Sequence, residues 1–121
     1  MGALAWIAGI PLALMMAMTG GMKLIGHDMV KQNMARLGVN DTLTRLIGVD
    51  EVLASAGLVI GLLAGNGDYE WIGFLTGIAV IALLIGALTY HRRAGDPPKE
   101  MAPALMGILL AVLYLVGIMG R

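Results

Sequence analysis

The 121-residue chain has no cysteine, which excludes a disulfide, a thiol redox relay, an iron–sulfur cluster and a cysteine-attached haem. Any redox role must take its electron carrier from elsewhere. Charge is also scarce: 13% of the residues are charged, against roughly 25% in an ordinary soluble domain. Eight basic residues balance eight acidic ones, so no strongly charged face exists to replace phosphate counterions, and nucleic acid is not an expected partner. The sequence also lacks a metalloprotease His-Glu pair, a closely spaced histidine and carboxylate set, a phosphate-cradling Gly-Lys-Ser/Thr loop and a serine elbow. No metal is expected.

What the chain does have is apolar surface. Hydrophobic residues make up 59% of it, and a soluble domain this small has too much surface to hide them. A bilayer is the simpler solvent. About 20 predominantly apolar residues carry an α-helix across the roughly 30 Å hydrocarbon layer, and four such stretches are present, at 3–22, 43–64, 71–90 and 102–120. The first has no basic n-region, an apolar run long for a signal peptide and three comparable segments after it, so it is expected to be a retained helix. The expected fold is a single all-α transmembrane domain, an antiparallel four-helix bundle.

Lys23, Lys31, Arg36 and Arg45 lie in or beside the first loop, and Arg92, Arg93 and Lys99 in the third. Only Arg121 falls on the other side. The two basic loops share a face, which the positive-inside rule assigns to the cytoplasm, with both termini outside; a cell (inner) membrane location is expected. The second loop, 65–70, carries Asp68 and Glu70 and no basic residue. Tyr69 and Trp71 beside it, with Trp6, suit an external aromatic belt.

Met29, Val30, Met34 and Leu37 recur at roughly helical spacing with Lys31, Gln32, Asn33 and Arg36 between them. This predicts a short amphipathic helix over 27–37 on the inner membrane surface, with Gly38 as its C-cap and Asn40 or Asp41 capping the next span. Pro97 and Pro98 end the third helix. Gly57, Gly61 and Gly65 repeat every four residues on the second helix, and Gly73 and Gly77 do so on the third. Such stripes let helix backbones approach closely, within the bundle or equally across a homodimer. A kink is expected at Pro11, with Met15, Met18 and Met22 on one face beyond it as adaptable packing.

Asp50 and Glu51 depart from the rule that charges keep to helix ends. They lie five and six residues beyond Arg45, about 8–9 Å deeper at 1.5 Å per residue. Ionisable groups inside a membrane are costly and by default mark function or a specific pair. Being adjacent, the two acids point about 100° apart: Asp50 follows the glycine stripe, and Glu51 shares its face with Ser55, Leu58 and Leu62. Lys23 ends helix one and His91 ends helix three, so antiparallel packing is expected to collect Lys23, Asp50, Glu51 and His91, with Tyr90, Thr89 and Arg92, near one end. Such a set can share a proton, bind a polar headgroup or polarise a carbonyl; the plainer alternative is a structural ion pair with Lys23 and Arg92 snorkelling. The candidates are therefore Glu51, Asp50, His91 and Lys23 for acid–base work, and Tyr90, Arg92 and Ser55 for holding a ligand.

"GGMKLIG", "ARLGV", "LIGVDEVLASAGLVIGLL", "GALTYHRRAGD" and "PALMGILLAVLYLVG", in that order, resemble the DoxX-like family of small four-helix membrane proteins. On that resemblance the family's basic residue after the first helix falls on Lys23, its acidic residue in helix two on Glu51, and its histidine or arginine closing helix three on His91 or Arg92. Asp50 is an addition to the pattern. The family takes its name from a membrane subunit of a thiosulfate:quinone oxidoreductase, and relatives have been linked to redox and oxidative-stress complexes or to membrane-protein assembly. The resemblance implies a membrane subunit of a quinone-linked oxidoreductase or redox-stress complex, with quinone as a non-covalent cofactor and a membrane or redox protein as partner. A stand-alone acid–base enzyme for a lipophilic small molecule (an isomerase, or an epoxide-opening hydrolase or cyclase), a small transporter and a non-catalytic assembly factor are the alternatives.

Overall fold

Backbone N–H and C=O groups in hydrocarbon must find partners within the chain, so an apolar run there folds as a helix. The computed structural model describes residues 2–64 and 67–120. It has helices α1 (Gly2–Ile25), α2 (Asp28–Arg36), α3 (Asp41–Ala64), α4 (Glu70–Arg93) and α5 (Pro98–Met119). The four long helices have 22 or 24 residues and are apolar enough to cross a membrane; at 1.5 Å per residue they measure about 33–36 Å. The protein is an all-α, multi-pass membrane bundle.

Each long helix overruns at least one end of the apolar stretch that marks it, because backbone hydrogen bonding continues through polar residues until something stops it. At one end of the bundle the stops are glycines. Gly26, Gly38 and Gly95 have φ of 78°, 85° and 74°, a left-handed conformation that costs other residues a Cβ clash. After α2, the Gly38 N–H bonds Ala35 O at 3.0 Å and the Val39 N–H bonds Met34 O at 2.8 Å, a Schellman ending. Gly95 and Asp96 repeat it on Arg92 O and His91 O. Asn40 caps α3 by accepting the Leu43 N–H at 2.8 Å. Pro98 stands at the start of α5, where its missing N–H costs nothing. Helix α1 stays continuous through Pro11.

Helix α1 packs on α3 and α5, and α4 packs on the same two, closing a four-sided bundle. Helix α2 lies against α1 and α3. The interior is narrow: Ala5, Ala8, Ala13 and Ala111 fill it with Leu12, Met16, Leu58 and Tyr114, while Ile7, Leu14, Met18 and Leu63 face outward. Lipid tails are as apolar as leucine, so helix association here rests on van der Waals fit. The glycine stripes supply it within the chain. A Cβ on Gly61 would stand 2.5 Å from the Cα of Gly73, and the buried Tyr114 hydroxyl, packed against both, donates to Leu58 O at 2.8 Å. Gly65, the third member of the stripe, and Arg121 lie outside the described residues.

Gly61→Ala is expected to destabilise the bundle by about 1–3 kcal/mol, because the obstacle is backbone and the helices must part. Gly21→Ala, where a Cβ meets nothing within 4 Å, is expected to stabilise it by roughly 0.5–1 kcal/mol through reduced backbone entropy. Thermal unfolding in detergent, followed by circular dichroism, distinguishes the two.

Candidate functional site

A second close approach of backbones sets the site. A Cβ on Gly20 of α1 would lie 2.8 Å from Gly48 O and 2.9 Å from Glu51 Cβ, and one on Gly48 of α3 would lie 3.0 Å from both Gly20 O and Lys23 Cβ. Thr19 and Lys23 are four residues apart and share a face of α1. Glu51, three residues beyond Gly48, is held against both: Lys23 Nζ donates to Oε1 at 2.6 Å and Thr19 Oγ1 to Oε2 at 2.5 Å. Thr19 Oγ1 also lies 2.9 Å from Met15 O. The glutamate is 4% exposed. With both oxygens partnered, its charge has the compensation that burial requires.

This trio stands at the polar end of a cavity of about 410 Å³. All five helices contribute apolar wall, including Met16, Met34, Ile47, Leu83 and Ala104. Tyr90 and His91, closing α4, add polar groups to the lining. Apolar walls with a few convergent polar groups are the usual make-up of a small-molecule site.

Outside the cavity a second carboxylate orients the histidine. Asp96 Oδ2 lies 2.5 Å from His91 Nδ1, and Asp96 Oδ1 accepts from the Arg36 guanidinium of α2. The backbone N–H of Asp96 also caps α4 on His91 O at 3.0 Å. One residue thus fastens the end of α4 to α2, whose Met34 and following Leu37 line the cavity. The Arg36 hydrogen bond, then the one from His91, hold the Asp96 carboxyl below its usual range against a smaller desolvation effect. The same contact raises the Arg36 guanidinium further. With Nδ1 engaged, Nε2 is the His91 nitrogen left for a ligand.

The structure brings Lys23, Glu51, Tyr90 and His91 to one cavity. It does not bring the other candidates there. Asp50 is exposed on another flank, in a groove between α3 and α4. The Ser55 hydroxyl donates to Ala13 O at 2.8 Å, tying α3 to α1, and Arg92 is exposed and does not line the cavity. Thr89 is spent on Ile85 O, and His27 caps α2 by accepting the Met29 N–H. Sequence reasoning missed Thr19, Gly20, Gly48, Asp96 and Arg36. Thr19 was detectable from its four-residue spacing to Lys23; the Arg36–Asp96 pairing, 60 residues apart, had no local signal.

Helix length and composition define a multi-pass membrane bundle, and its helices leave a polar-ended cavity between them. The chain belongs to the DoxX-like family, whose sequence pattern matches residues 7–114. No curated protein and no solved structure matches it significantly.

Lys23→Met alone, which leaves Glu51 buried without its counter-charge, is expected to cost about 3 kcal/mol, whereas the double variant Lys23→Met/Glu51→Leu costs less than the sum of the singles; a thermal double-mutant cycle measures the coupling. The Asp96 contacts follow pH. Because the folded carboxyl titrates below the ordinary 3.8, its stabilisation is complete above that value and is lost as pH falls through the depressed folded one. Protection factors of the α2 amides, with the intrinsic pH dependence of exchange divided out, should therefore fall in acid, and Asp96→Asn should lower them at neutral pH.

Proposed function

We propose that the protein is a membrane subunit of a quinone-linked oxidoreductase or redox-stress complex, with its basic end in the cytoplasm, and that the cavity takes the polar head of a quinone-like lipid. The observation that carries this reading is the cavity itself, about 410 Å³ of apolar wall with Thr19, Lys23, Glu51, Tyr90 and His91 as its polar groups. The volume lies within the roughly 300–1,000 Å³ range of small-molecule sites. A quinone's two carbonyl oxygens ask for hydrogen-bond donors. Lys23 gives one N–H to Glu51 and keeps two, and the Tyr90 hydroxyl is a second donor, from α4. Such a group would supply two-electron, two-proton chemistry when bound. The chain's own part is to orient the head between α1 and α4, to exclude water with methionine and leucine side chains, and to hold protons at Glu51 and at His91 Nε2.

A second reading rests on the Asp96–His91 contact at 2.5 Å. A carboxylate on one ring nitrogen with the other left for the cavity is how a general base is oriented. With Glu51 and Lys23 also in the lining, the same residues suit a stand-alone acid–base enzyme for a lipophilic substrate. In that case the isolated chain suffices for turnover.

Gentle purification from the native membrane, followed by mass spectrometry and an absorption spectrum, is expected to find a bound quinone. Glu51→Gln is expected to lower quinone-dependent turnover of the complex by roughly a hundredfold. Protein that carries no quinone, with turnover unchanged in Glu51→Gln, ends this reading.

A further inference from the structure

Asp50 is a carboxylate with no hydrogen bond or ion pair among the described residues. It is the tenth residue of α3, about 13–14 Å along a helix of about 36 Å, so it stands within the span, on a flank that faces away from Glu51. Lys23 is committed to Glu51 and Arg36 to Asp96, and no other described base pairs with Asp50. A charge at such depth is expensive unless something compensates it.

The carboxylate opens on a groove of about 580 Å³ between α3 and α4, walled by Leu53, Ala54, Ala79, Ala82 and Leu83, with Thr76 at its far end. There α3 and α4 come together: a Cβ on Gly57 would lie 3.0 Å from Thr76 Cγ2. The Thr76 hydroxyl donates to Ile72 O, which leaves Asp50 as the charge that selects an occupant. Between Thr76 and Leu83 the groove spans seven residues of α4, about 10 Å. That is two helical turns, short for the seam of a neighbouring transmembrane helix and suited to a small molecule.

We propose that this groove binds a lipophilic monovalent cation, an ammonium or phosphonium bearing apolar substituents, with Asp50 as its counter-charge. The occupant brings its own apolar body, which the alanine and leucine walls receive, while its charge meets a carboxylate in a medium that screens weakly. This site is separate from the Glu51 cavity, with Ala82 and Leu83 of α4 in the lining of both, and it does not depend on the quinone reading.

The test titrates the full chain, in phosphatidylcholine nanodiscs, with radiolabelled tetraphenylphosphonium. Saturable binding of one cation per chain is expected, weakened at least tenfold by Asp50→Asn and retained in Asp50→Glu. Ala79→Trp keeps the charge and fills the groove, so it is expected to weaken binding similarly. Asp50 points out of the bundle, and unchanged circular-dichroism melting separates these effects from misfolding. Equal, unsaturable uptake by wild type and Asp50→Asn overturns the proposal. So does loss of binding in Glu51→Gln alone, or affinity for a transmembrane peptide with a central lysine and none for the phosphonium.

Discussion

A buried carboxylate that must keep its charge partners in hydrocarbon governs one end of this bundle. Glu51 can be accommodated because Gly20 and Gly48 let α1 and α3 approach until Gly48 O would lie 2.8 Å from a Cβ at Gly20. Only at that separation do Thr19 and Lys23 reach both carboxylate oxygens. An unpaired charge in this place would cost several kcal/mol, comparable to the whole net stability of many small domains. The ion pair also fixes the rotation of α3 about its axis. Glu51 faces inward, and its neighbour Asp50, about 100° round the helix, is turned to another flank.

The cavity follows from the same packing. Elsewhere the interior is closed by alanine and glycine together with Leu12, Leu58, Leu62, Val80 and Tyr114, the largest side chain among them. At the basic end the helices carry longer side chains, among them Met15, Met16, Tyr90 and His91, and space remains between them. Helix α2 covers part of this space without being able to cross the membrane, since its nine residues are polar on balance. It is held by Arg36, which reaches the carboxylate that also orients His91. Helix α2 and the half-buried histidine closing α4 are therefore linked through Asp96, in the loop after α4, by ion pairs that weaken with salt and acid.

The four long apolar helices, the short helix of the first loop and the crowding of bases at one end were legible in the sequence. Hydropathy, length and helical period are local properties, and a bilayer enforces them strongly. The end of α2 was legible at Gly38, but the close of α4 was not: Gly95 ends it at Arg93, ahead of Pro97 and Pro98, and Pro98 instead opens α5, whose first turn runs through the polar Lys99 and Glu100. Of the site, the gathering of Lys23, Glu51, Tyr90 and His91 at one end of the bundle could be read in advance. The separation of Asp50 from Glu51 followed from helix geometry, but not which of them faces the interior.

What the sequence by itself determined is the solvent, the secondary structure and the end of the bundle where polar groups gather, because each depends on residues near one another in the chain. The tertiary structure alone decided which partners those groups take. Gly20 with Gly48 and Arg36 with Asp96 meet across long separations, and only the rotation and closeness of packed helices select them. That rotation buries Glu51 at the cavity shared by all five helices and leaves Asp50 exposed in a groove between α3 and α4, two adjacent acids in different surroundings.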